Sequence, residues 1–185
     1  MAELHIIGEL VGATNFGQDN LFGVWNIQKG SHWTHVSGLE KGQTQVDKRG
    51  EDQVNVWAHP IDIHYSTSVC VGWPKVVLQV WFQDGYGRND FGYGVVNIPS
   101  QSGTFDLTCS IWKPLGSLKD RIMEMIIGGS SQVKDDSIVW NGEDRHKLTT
   151  MTVGTVHLHL NVLLRNFSKF DVITTNQQSH NDDDL

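Results

Sequence analysis

Trp73-Pro74-Lys75-Val-Val-Leu-Gln-Val-Trp-Phe82 is the most strand-like stretch of the chain. Valine and aromatic side chains suit a pleated surface, and Trp73-Pro74 opens the run, so a strand is predicted over 75–82. Upstream, Val54-Asn-Val-Trp57 and Ile61-Asp-Ile-His-Tyr65 alternate with period two. His59-Pro60 splits them, and proline there predicts a bend between sheets or a strand end. The polar stretch 37–52 leaves room for a short edge strand at Thr44-Gln-Val46. Leu21–Ile27 reads as a strand, and Gln28-Lys-Gly-Ser31 before Trp33 reads as a hairpin turn, which predicts an antiparallel pair. At the start, Leu4–Val11 is a strand that feeds a Gly/Asn/Thr-rich loop from Gly12 to Asn20.

Downstream the cadence continues with a loop over 83–90 and a strand at Gly94–Ile98. A Pro-Ser-Gln-Ser-Gly turn then leads to a strand at Thr104–Cys109. Leu115, Leu118, Ile122, Met125 and Ile126 recur at helical steps, with Ser117 as N-cap and Gly128-Gly129 as the stop, which predicts one short helix over about 117–127. Asp136–Trp140 and Val153–Leu163 supply the last strands, the second with Val156, Leu158, Leu160 and Val162 on one face. One core domain over 1–173 is expected, followed by a disordered acidic tail over 174–185. The fold class is all-β, an antiparallel β-sandwich with one inserted helix.

Composition agrees. A length of 185 residues fits one domain, and 38% hydrophobic with 19% charged residues is ordinary globular chemistry. The 19 glycines and 7 tryptophans suit turns between short strands and half-buried pleated faces. A formal charge of −7 speaks against a surface that tracks nucleic-acid phosphates. Two cysteines are too few for a disulfide framework, and the N-terminus lacks a signal-peptide pattern, so a cytoplasmic setting is expected.

Few residues suggest chemistry. His59, Asp62 and His64 are metal-ligand types close in sequence, with Asp62 and His64 on one strand face, but they lack a defined fourth ligand. His157 and His159 share the face opposite Val156 and Leu158, as an exposed antiparallel surface explains. Cys70 and Cys109 carry no redox or nucleophile signature and read as buried thiols. Gly85-Tyr-Gly87 and Gly92-Tyr-Gly94 match no phosphate loop and read as turn and bulge glycines. No catalytic motif is present, so a non-enzymatic protein without cofactor is expected. Most tryptophans belong to the core. Trp33, Trp57 and Trp112 lie near turns or polar stretches and are the candidates for a partner-binding surface.

Leu78–Gly94 resembles the strand–loop–strand segment of a C2 domain, whose calcium-binding versions carry a set of aspartates in that loop. Phe82 stands where the first would be, leaving Asp84 and Asp90. The loop around Asp19-Asn20 resembles the other calcium loop, with Asn20 at an aspartate position. Calcium needs six to eight oxygens, so these degenerate loops predict no bound metal.

As a whole, the chain is similar to the B9-domain family. The residues that carry this are Met1–Gly8, Glu40–Asp47, His59–His64, Gly72-Trp-Pro74, Gln79-Val-Trp81, Trp112–Gly116, Gly154–Leu158 and Leu163–Phe167. That resemblance implies a C2-like sandwich and no catalysis. It implies a scaffold at the cilium base (transition zone, basal body, cytoskeleton), with other B9-domain proteins and Meckel-syndrome complex subunits as partners. Peripheral lipid contact is the alternative, through Phe16, Leu21, Tyr86 and Phe91 on the C2-like loops.

Overall fold

The computed structural model describes residues 1–50, 54–84, 87–115 and 150–167. The predicted helix at 117–127, the strand at 136–140 and the acidic tail lie outside them. The described residues form nine strands: β1 (Ala2–Thr14), β2 (Leu21–Gln28), β3 (Trp33–Gly38), β4 (Lys41–Gln43), β5 (Val54–Thr67), β6 (Lys75–Asp84), β7 (Gly87–Asn97), β8 (Gly103–Pro114) and β9 (Thr150–Arg165). They follow the order β3-β5-β1-β9-β8-β7-β6-β2-β4, and every pairing is antiparallel.

This ladder is continuous but folds over on itself. β7 and β8 meet at a single register pair, Tyr93 with Trp112. The reason is local: a Cβ at Gly92 would lie 2.5 Å from Ile111 Cγ2, and one at Gly94 would lie 2.5 Å from Cys109 Sγ. Only glycine lets β7 pass so close over the side chains of β8. Here the sheet turns a corner, and β7-β6-β2-β4 comes to face β3-β5-β1-β9-β8, the sandwich expected from the sequence. Trp57 on β5 donates its indole N–H to the Leu21 carbonyl on β2 at 3.2 Å, across the layers.

The core follows from strand alternation. Leu4, Ile6 and Leu10 of β1 lie on one inner face beside Ile61, Ile63 and Tyr65 of β5 and Val156, Leu158, Leu160 and Val162 of β9, all essentially sealed from solvent. β6 is buried on both faces. Val76, Leu78 and Val80 enter the main core, while Val77 packs with Tyr93 and Trp112 on the other side. That double burial is why its sequence is apolar from Val76 to Phe82 at every position except Gln79.

Three local expectations are corrected. β2 and β3 do not form a hairpin: β2 pairs β6 and β4, and β3 pairs β5. The Gly30 turn is pinned instead to the loop before Trp73, with Gly30 N–H on the Gly72 carbonyl at 2.8 Å, and this carries the chain to the opposite layer. Pro60 neither bends nor ends its strand. β5 runs through it, and the irregularity is a bulge at Trp57-Ala58, where Ala58 takes φ 43° and the β1 register steps from Leu10–His59 to Gly12–Val56. β3 pairs only as far as Ile63, so a proline at position 60 costs no ladder bond on that side. Finally, the segment read as a loop over 83–90 is mostly strand, with Asp84 opposite Gly87.

Glu40, just before β4, staples the two layers. Its Oε1 accepts from Lys29 Nζ at 2.9 Å and from the Tyr65 hydroxyl at 3.0 Å. Desolvation raises the Glu40 pKa, but the Lys29 and Tyr65 hydrogen bonds outweigh it and leave the carboxyl below its ordinary value of 4.5. Stability from this contact is therefore complete above pH 4.5 and is lost as pH falls through the lower folded value. Glu40→Gln is expected to cost about 1 kcal/mol or less at neutral pH, because the site is partly solvated. Urea unfolding at pH 7 and pH 3 checks this: the difference between wild type and variant shrinks at the lower pH.

Candidate functional site

The β1–β2 loop carries the first degenerate calcium positions. Asn15 and Asn20 take φ 61° and 56°, a left-handed backbone that asparagine tolerates better than most residues. Asn20 ties this loop to the end of β6: its Nδ2 donates to the Gln83 carbonyl at 3.2 Å, and its own carbonyl accepts from Gln83 N–H at 3.0 Å. Asp19 is ion-paired with the Arg49 guanidinium, which also donates to the Phe16 carbonyl at 2.9 Å. The positive charge beside Asp19 is thus supplied from within the chain. Phe82 packs half-buried against the core, Asp84 ends β6, and Asp90 is the extra residue of a bulge, since Trp81 pairs Phe91 and Phe82 pairs Asn89.

A cleft of about 270 Å³ opens beside this loop, lined by Phe16, Leu21, Trp81, Phe82, Lys113 and Val153 among others. The Phe16 ring lies on Gly154, where a Cβ would come within 2.4 Å of it. Leu21 is 2% exposed and Phe16 is half-buried, so neither projects outward as a membrane-inserting side chain would. Tyr86 lies outside the described residues.

The three tryptophans proposed as partner anchors are core residues. Trp33, Trp57 and Trp112 are 3%, 2% and 4% exposed. Trp33 donates to the Val71 carbonyl at 3.1 Å and meets Trp73 edge-on at 5.1 Å, while Trp112 tilts against Tyr93 at 5.6 Å. Polar neighbours in sequence misled here because alternation turns such a residue inward regardless of what flanks it.

The His59, Asp62 and His64 set does not converge. Alternation through Pro60 puts His59 on the inner side with Ile61 and Ile63, where Trp25 lies 6.0 Å away edge-on and burial holds the His59 pKa down. Asp62 is exposed on the outer face, with His64. His64 instead meets two residues that the sequence did not single out. It is register-paired with His5, the two imidazoles stack at 3.7 Å, and Glu3 Oε2 lies 4.0 Å from His5 Nε2 and 3.7 Å from His64 Nε2. Burial, then repulsion from His5, lowers the His64 pKa, with Glu3 opposing. The signal was partial: Glu3 and His5 alternate outward on the first strand, but nothing local says which strand lies beside it.

The other two histidines singled out in the sequence have local partners. His157 Nε2 bonds Thr14 Oγ1 at 2.8 Å, and His159 Nδ1 bonds Asp106 at 2.6 Å, on the face opposite Val156 and Leu158. Cys109 is buried, and Cys70 is half-buried, with burial pushing its thiol pKa up.

Comparison with known proteins extends this picture over nearly the whole chain. Residues 4–163 match the B9-C2 family model, described as "Ciliary basal body-associated, B9 protein". The chain is 46% identical to B9 domain-containing protein 2 of Danio rerio over 93% of its own length and 99% of that protein. It is 42% identical to the Homo sapiens protein of the same name over the same shares. B9 domain-containing protein 1 of Mus musculus is 30% identical over 90% of this chain and 83% of that protein. A solved C2-domain structure covers 88% of this chain and 98% of its own, at 12% identity and a TM-score of 0.39. The family match and the strand pattern agree, and the chain belongs to the B9-C2 family of ciliary basal body-associated B9 proteins.

Proposed function

We propose that the protein is a non-enzymatic scaffold of the transition zone at the cilium base, binding other B9-domain proteins within the Meckel-syndrome complex. The observation that carries this reading is the outer edge of β3. β3 ends the strand order, and among the described residues nothing pairs with its free side. Only Trp33 of its six residues is buried, and Val36 and nearby Leu39 are 51% and 71% exposed. An open edge with apolar side chains is a template for strand addition by another sheet protein. β3 is short and bulged at Val36, where the β5 register steps from His35–Tyr65 to Ser37–His64, but no lysine, arginine, carboxylate or proline blunts it.

Val36→Lys places a charge on that edge without disturbing the core. Tagged wild type and variant, each co-expressed with the other B9-domain proteins, provide the test. The variant is expected to recover about tenfold less partner, as loss of one interface hot spot does. Equal recovery by a folded Val36→Lys protein would exclude the β3 edge as the docking element.

A further inference from the structure

We propose that Glu3, His5 and His64 form a binding site for a zinc-type divalent ion on the outer face of β1 and β5. Two imidazoles and a carboxylate are a donor set that zinc takes with three protein ligands and one open position. One ligand atom from each residue lies within 4.8 Å of the others. Two ligands bound tetrahedrally at ordinary zinc distances are roughly 3.3 Å apart. The 3.7 Å and 4.0 Å separations from Glu3 therefore need to close by only several tenths of an ångström.

The scaffold is stiff where the ligands attach. β1 lies between β5 and β9, and the His5–His64 register pair is flanked by Leu4–Tyr65 and Ile6–Ile63, whose side chains fill the core. Glu3 projects from the same face as His5, one alternation away.

A second feature points to a ligand. His64 Nε2 is sealed from solvent and has no hydrogen-bond partner among the described residues, and Glu3 at 3.7 Å is too far to serve. An unsatisfied buried nitrogen is costly, and a bound cation removes that cost. Burial favours the neutral ring, which is the form that ligates.

Two rearrangements accompany binding. The imidazoles, now 17° from parallel, must rotate out of their stack so that their lone pairs converge. Arg165 Nη1, 3.5 Å from Glu3 Oε2, must withdraw; its side chain is 74% exposed and free to do so. Arg165 therefore competes with the ion for Glu3, which gives the proposal a readout that a mere surface ion pair would lack.

The test is calorimetric titration of the metal-free full chain with zinc chloride, with cobalt(II) absorption as a second probe. One ion per chain is expected. His5→Asn and His64→Asn, which preserve the outer-face polarity, should each weaken binding about tenfold or more, the loss that even outer partners of a metal ligand produce. Arg165→Ala should tighten it, and His159→Ala should leave it unchanged. Absence of zinc binding by the wild type overturns the proposal. So does unchanged affinity in both histidine variants, since the ion would then sit elsewhere on the chain.

Discussion

Trp57→Ala is expected to lower the unfolding free energy by about 3–5 kcal/mol, the cost of deleting a fully buried tryptophan. Trp57 is 2% exposed and lies between the layers, where its ring reaches β2: a Cβ at Gly23 would sit 3.1 Å from Trp57 Cζ3. The loss is mainly packing. The Leu21 carbonyl that accepts the indole N–H also accepts the Asp47 N–H at 2.9 Å, so it keeps a partner in the variant. Trp57→Phe should accordingly cost much less, because most of the contact surface remains. Because a domain's whole stability is about 5–15 kcal/mol, the alanine variant should also be recovered poorly from cells. Urea midpoints give the answer, and a loss below about 1 kcal/mol would mean that the two layers do not meet at Trp57.

Gly8→Ala is the second large effect. Gly8 pairs with Ile61 of β5 and Leu160 of β9, in the middle of the larger layer. A Cβ there would lie 2.0 Å from the His159 carbonyl oxygen and 2.9 Å from Leu160 Cα. Both are backbone atoms and cannot rotate aside, so β1 must move off β9 and loosen the ladder that carries Leu4, Ile6 and Leu10. A cost of about 3 kcal/mol or more is expected. Gly17→Ala is the control: nothing lies within 4 Å of the added atom, and the change should stay within about 0.5 kcal/mol. Thermal unfolding of the two variants side by side distinguishes a close approach from a general glycine effect.

The strands were legible in the sequence wherever burial was one-sided or complete. β9 announced itself through Val156, Leu158, Leu160 and Val162, and β6 through an apolar run broken only at Gln79, because alternation and double burial leave distinct patterns. Pairing was not legible. The Gln28–Ser31 turn looks like a hairpin on local chemistry, yet the contact between Gly30 and Gly72 that redirects it is long-range. His59 is close to Asp62 and His64 in sequence, but alternation running regularly through Pro60 puts it on the inner side with Ile61 and Ile63, and proximity along the chain does not say which side chains the fold brings together. The same limit hid the Glu3, His5 and His64 cluster, which exists only because His5 and His64 share a register pair. The degenerate calcium positions were readable as missing carboxylates, but the role of Arg49 beside Asp19 was not, since the two are brought together only by the fold.

The scaffold reading predicts one outcome above all. The untruncated chain, purified from a ciliated cell alongside the other B9-domain proteins, should elute with them as a single stoichiometric complex, while the chain produced alone should elute separately. A well-behaved monomer that ignores those proteins at every concentration tested would contradict it.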